Sequence, residues 1–115
     1  MIQAVIKVSG DQDSALTSVG LTELIHGIYR AQKPEIRRHR EAFINELLAD
    51  LTVHPYTKET AMLAGRIDGE QKSRGVIIPF ADLLIGATAL WNGFSVLTVN
   101  ARHFRLIPNL SVVQL

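Results

Sequence analysis

Glu23 and Asp82 are acids set in apolar surroundings. Glu23 stands in Leu21-Thr22-Glu23-Leu24-Ile25, and Asp82 in Pro79-Phe80-Ala81-Asp82-Leu83-Leu84-Ile85-Gly86-Ala87. A carboxylate is seldom buried unless it is paired, hydrogen-bonded or bound to a metal. Two of them at the entrances to two apolar helices point to one shared polar pocket. Asn100 follows the β-rich run Phe94–Thr98 by two residues and adds a third polar side chain. Clustered oxygen donors, with no cysteine and no nearby histidine pair, favour Mg²⁺ or Mn²⁺ over zinc. Such ions activate water and stabilise charge on a phosphodiester undergoing substitution.

Each residue also has a plainer explanation. Asp82 near a helix N-terminus can serve the macrodipole and bond free N–H groups. Glu23 can cap its own helix or pair with Arg30, and Asn100 can hold a left-handed turn after a strand. His26, His39 and His54 lack metal-ligand spacing. Arg37-Arg38-His39-Arg40 is basic, but it lies on an amphipathic helix, where such a cluster reads as a solvated face. Taken singly, none of these side chains decides the chemistry.

The elements that must position them follow from pattern and punctuation. Residues 1–10 alternate weakly, as a helix end or a strand, and a polar turn follows over Ser9–Ser14. A buried strand is expected over Ala15–Val19. Gly20 to Thr22 then supply a turn and an N-cap for a helix reaching about Ala31. Pro34 opens an amphipathic helix to Leu51, and Val53–Tyr56 is a short strand or extended link. Thr57 caps a helix to about Arg74, stopped by Gly75. After Pro79 a helix from Phe80 to Asn92 is apolar nearly all round, hence buried between layers, and Gly93 ends it. Phe94–Thr98 suits a buried parallel strand and Ser111–Leu115 an edge strand. Strands alternating with helices give an α/β fold with a parallel sheet. In such sheets ligands bind beyond the carboxyl ends of the strands, where Glu23, Asp82 and Asn100 can converge.

With 115 residues the chain is one domain with a real core, residues 1–115. Its 47% hydrophobic and 20% charged content is globular rather than disordered. A formal net charge of +1 removes any global electrostatic case for nucleic-acid binding, so such a role must rest on local patches. The absence of cysteine excludes disulfides and thiolate chemistry. No apolar run approaches the roughly 20 residues of a membrane span, and the N-terminus lacks a secretory pattern. A cytoplasmic protein is expected.

Three segments together resemble PIN domains. They are Thr22-Glu23-Leu24-Ile25-His26-Gly27, the helix Ile78-Pro79-Phe80-Ala81-Asp82-Leu83-Leu84-Ile85-Gly86-Ala87-Thr88-Ala89, and the closing Leu97-Thr98-Val99-Asn100-Ala101-Arg102-His103-Phe104. In this order and spacing, from about Ala15 onward, they look like VapC-type toxins of toxin–antitoxin pairs. The resemblance implies a PIN-like parallel sheet flanked by helices and a Mg²⁺- or Mn²⁺-dependent endoribonuclease. It also implies a homodimer held inactive by a VapB-like antitoxin. By position it makes Glu23 and Asp82 metal-site acids, Asn100 the fourth polar member and Thr98 its supporting hydroxyl. Arg102, or Arg37, Arg38 and Arg40, would hold RNA phosphates. Gly27 would permit close helix packing.

The sequence departs from the family in two places. Family members begin with a strand ending in an Asp-Thr or Asp-Ser step, whose Asp is a primary ligand. Here Asp11 and Asp13 sit in a polar loop ahead of the second expected strand. The domain is therefore expected to be N-terminally incomplete, with a central strand missing and ladder groups exposed. Lower stability and weak metal binding are expected to follow, testable by calorimetric titration beside a chain extended upstream. At His103 an acid is usual. An alternative is a catalytically inactive PIN domain that only binds antitoxin or dimerises. A flavodoxin-like binding module is poorly supported, because no glycine-rich phosphate loop is present.

Overall fold

The computed structural model describes residues 4–8 and 14–115, with side chains from Ser14 onward. Its elements are β1 (Ala4–Val8), β2 (Ser14–Thr17), α1 (Ser18–Arg30), α2 (Pro34–Asp50), β3 (Thr52–His54), α3 (Lys58–Ser73), α4 (Phe80–Trp91), β4 (Phe94–Thr98), α5 (Ala101–Phe104) and β5 (Val112–Gln114). Asp11, Asp13 and the turn expected around them lie outside the described residues, apart from Ser14, which opens β2.

The strands form one sheet in the order β3-β2-β1-β4-β5. The pairs β2–β3 and β4–β5 are parallel. β1 runs opposite to both neighbours, with Ala4 beside Thr98 and Val8 beside Phe94 on one side, and Ile6 beside Ala15 on the other. The sheet is thus parallel but for its central member. This corrects the expectation of a vacant centre with an exposed ladder. Ala4-Val5-Ile6-Lys7-Val8 is β-branched enough to take the place, and an antiparallel strand satisfies the backbone groups of both neighbours. Because β2, β3, β4 and β5 share one direction, Thr17, His54, Thr98 and Gln114 end at the same edge.

α1 starts earlier than punctuation suggests. The strand expected to run to Val19 stops at Thr17, whose Oγ1 accepts a 2.8 Å hydrogen bond from the Gly20 N–H. Thr17 is the N-cap, and Gly20 lies buried in the first turn rather than breaking the chain before it. Thr57 caps α3 as expected, with Oγ1 accepting from the Thr60 N–H at 3.2 Å. Gly75 and Gly93 have φ of 78° and 73°, so each supplies a left-handed residue that a side chain would strain.

Two apolar clusters hold the layers. Leu16, Leu24, Ile28 and Ile44 join β2 to α1 and α2. Ala64, Ile67, Leu83, Ile85, Val96, Phe104 and Ile107 join α3, α4, β4 and the segment around α5. α4 buries Asp82, Leu83, Ile85, Gly86, Ala87, Thr88 and Ala89, as its all-round apolar pattern requires. The close-packing glycine is Gly86, not Gly27. A Cβ on Gly86 would collide with Ile107 and crowd Leu110, whereas one on Gly27 would meet nothing within 4 Å.

Candidate active site

The polar residues collect at the edge where β2 and β4 end. Glu23 is carried in the second turn of α1, directly after Thr17. Asp82 is carried in the first turn of α4, and it is 7% exposed. Asn100 leaves the end of β4. The buried Thr98 Oγ1 accepts a 3.0 Å bond from the Asn100 N–H, which fixes the turn into α5. The edge strand braces the same turn. The Leu115 N–H donates to the Thr98 carbonyl at 2.8 Å, and Gln114 Nε2 donates to the Val99 carbonyl at 2.8 Å.

Glu23 Oε1 is shielded from solvent and has no hydrogen-bond partner among the described residues. Burial pushes the Glu23 carboxyl above its ordinary range, the negative charge of Asp82 pushes it further, and His26 pulls it back. The two acids therefore lie in each other's field, although nearly sixty positions separate them in the chain. Like charges brought together in a partly dry pocket disfavour ionisation, and a cation relieves that penalty.

Asp82 has a partner that the spacing of the histidines did not single out. Its Oδ2 is 2.9 Å from His103 Nδ1, and the Asn100 amide head lies 3.0 Å from the same nitrogen. The signal was present in the sequence. Asn100 and His103 are three residues apart, a separation that puts two side chains on one face of a helical turn. Among the described residues, no three His, Asp or Glu side chains are gathered into a ready-made cage. The donors nevertheless suit a divalent cation: two carboxylates, one of them with a buried oxygen lacking a partner among the described residues, an amide and an imidazole.

The basic residues divide. Arg37 Nε donates to the Ala31 carbonyl at 2.6 Å and its guanidinium stands 5.8 Å from the Tyr29 ring. Arg40 donates to the Gly27 carbonyl. Both bind α2 to the last turns of α1, a structural use of cations at a helix C-terminus. Arg38 and Arg102 are exposed, and Arg102 lies on α5 between Asn100 and His103.

The fold and sequence have known counterparts. A family model described as PIN domain matches residues 4–109. The chain belongs to the PIN-domain family. Within it the similarity is to the VapC type. Ribonuclease VapC1 of Rickettsia felis is 32% identical over 98 residues, spanning 85% of this chain and 73% of the relative. Ribonuclease VapC of Rickettsia bellii is likewise 32% identical over 98 residues, with the same coverage of 85% and 73%. Among solved structures, VapBC2 from Rickettsia felis bound to a promoter DNA fragment superposes with a TM-score of 0.79 at 26% identity, covering 88% of this chain and 74% of that one. VapBC-5 from Mycobacterium tuberculosis gives 0.74 at 29% identity, covering 88% and 79%. Among the described residues of this PIN domain, no helix is long and apolar enough to cross a membrane.

Proposed function

We propose that this PIN domain is the toxin of a toxin–antitoxin pair and hydrolyses RNA phosphodiester bonds in the cytoplasm with Mg²⁺ or Mn²⁺. The observation that carries this is the pair of carboxylates, Glu23 and Asp82, set in each other's field with one buried oxygen left unpartnered. The ribonuclease names of the relatives and the VapBC neighbours support the substrate and the VapB-like partner.

In this proposal Glu23, Asp82 and Asn100 hold the cation, which when bound neutralises phosphate charge and makes water a better nucleophile. Thr98 holds the Asn100 backbone in place. A bound cation would offset the burial and the Asp82 charge that raise the proton affinity of Glu23, and so would favour its carboxylate form. Exposed Arg102, and more remotely Arg38, hold flanking phosphates; Arg37 and Arg40 are committed to α1. Apolar side chains left in solvent fit protein partners. Ile36 and Phe43 on α2 suit an antitoxin helix, and Met62 and Trp91 on α3 and α4 suit a second copy in a homodimer.

The test is RNA cleavage by Asp82→Asn and Glu23→Gln. Both are expected to keep the far-UV circular dichroism of the parent and to lose activity on the order of 100-fold. One observation favours a second reading, an inactive antitoxin-binding or dimerising module. The residue that β1 places beside Thr98 at the site edge is Ala4, which brings no carboxylate. Parent protein that binds antitoxin but cuts RNA no faster than Asp82→Asn, with either cation added, would establish that reading.

A further inference from the structure

Asp82, Asn100 and His103 meet around one atom. His103 Nδ1 is 2.9 Å from Asp82 Oδ2 and 3.0 Å from the Asn100 amide. A carboxylate oxygen only accepts, so the ring nitrogen facing it donates. A nitrogen that carries hydrogen cannot also accept from an amino group, so the Asn100 amide turns its oxygen to the ring. Two oxygens and one nitrogen then converge at separations of 2.9 and 3.0 Å. Donors about 2.1 Å from an octahedral dication and at right angles to one another lie about 3.0 Å apart. Each oxygen already stands from Nδ1 at the spacing of an adjacent ligand, and a cation taking the place of the Nδ1 proton would leave the ring neutral with its hydrogen on Nε2.

We propose that His103 Nδ1 is a ligand of the bound cation and that it turns the site toward first-row transition dications such as Mn²⁺ and Co²⁺, and away from Mg²⁺. This rests on the cation-dependent reading above. Mg²⁺ keeps to oxygen donors and gives up its water reluctantly, whereas imidazole suits the transition series. The position is defined by packing. Phe104, next in sequence, is 1% exposed in the core, and the Asp82 that faces the ring is anchored in buried α4. Glu23 adds a carboxylate from the facing helix.

The experiment is pulsed electron paramagnetic resonance of Mn²⁺ bound to the full chain, with Mn²⁺ and Mg²⁺ affinities measured by calorimetry. The parent is expected to show coupling to a ring nitrogen that is lost in His103→Gln and His103→Asp and survives in His26→Gln. The ratio of Mn²⁺ to Mg²⁺ affinity is expected to fall on the order of 10-fold or more in His103→Asp. His103→Asp keeps a cation donor at the position and serves if His103→Gln fails to fold. Mn²⁺ bound without nitrogen coupling, or an unchanged affinity ratio, would overturn the assignment and leave the cation-dependent reading standing. Failure of the parent to bind either cation would overturn both.

Discussion

Glu23 is held at a cost to the fold. Its raised proton affinity means that the folded chain takes up a proton where the unfolded chain has already lost it. Stability conferred at this position is therefore greatest below the ordinary value of 4.5 and declines as pH rises through the higher folded value. Glu23→Gln is expected to melt at a higher temperature than the parent near neutral pH. The difference is expected to close below about pH 4, where both side chains are neutral. Thermal melts followed by circular dichroism across this range check it; a parent more stable than the variant at neutral pH would contradict it. Added Mn²⁺ works in the opposite sense, because a cation that binds only the folded state raises its melting temperature. That rise is expected in the parent and to be much smaller in Glu23→Gln. Both acids stood out in the sequence because charge inside an apolar run is rare. His103 stood out only through the resemblance, as a position where an acid is usual, since a solitary histidine carries no spacing signal until its neighbour Asn100 is read on the same helical turn.

The elements owe their ends to a few short contacts, and these can be removed one at a time. Thr17→Val deletes the hydroxyl that caps α1 and is expected to cost about 1 kcal/mol, within a usual 0.5–2. Urea unfolding with an unchanged slope would report it. In Gly86→Ala the new methyl meets the end of the buried Ile107 side chain, which must shift against Leu110 and Phe104, and the change is expected to cost about 1–3 kcal/mol. Gly27→Ala, in open space on a helix, is expected to be neutral or to gain up to about 1 kcal/mol. A stable Gly86→Ala would refute the packing assigned to that residue. The boundaries of α2, α3, α4 and β4 were legible because proline, threonine caps and glycines mark them. The start of α1 was not. Thr17-Ser18-Val19 continues the β-rich character of Ala15-Leu16, and Gly20 looks like a breaker, so the pattern reads as the middle of a strand where the chain has a helix cap. α5, at four residues, is too short to show any periodicity.

At the scale of the whole sheet, the direction of β1 is the feature that sequence could not disclose. Alternation identifies a strand, but which way it lies is decided by the neighbours it joins. As the central strand it pairs on both sides, so proline at Val5 would strip a ladder N–H from the middle of the sheet. Val5→Pro is expected to abolish cooperative unfolding, whereas Ser111→Pro, ahead of the edge strand, is expected to be mild. Calorimetry of the two variants distinguishes them; a cooperative transition in Val5→Pro would remove β1 from the sheet. The order of pairing also bears on how the molecule is made. β1 finds β2 within a few residues of leaving the ribosome, but the partner for its other side is encoded in residues 94–98. Until that stretch is translated, β1 carries one row of amides open to any passing chain, and a polypeptide stalled short of Phe94 is expected to aggregate more readily than the full chain.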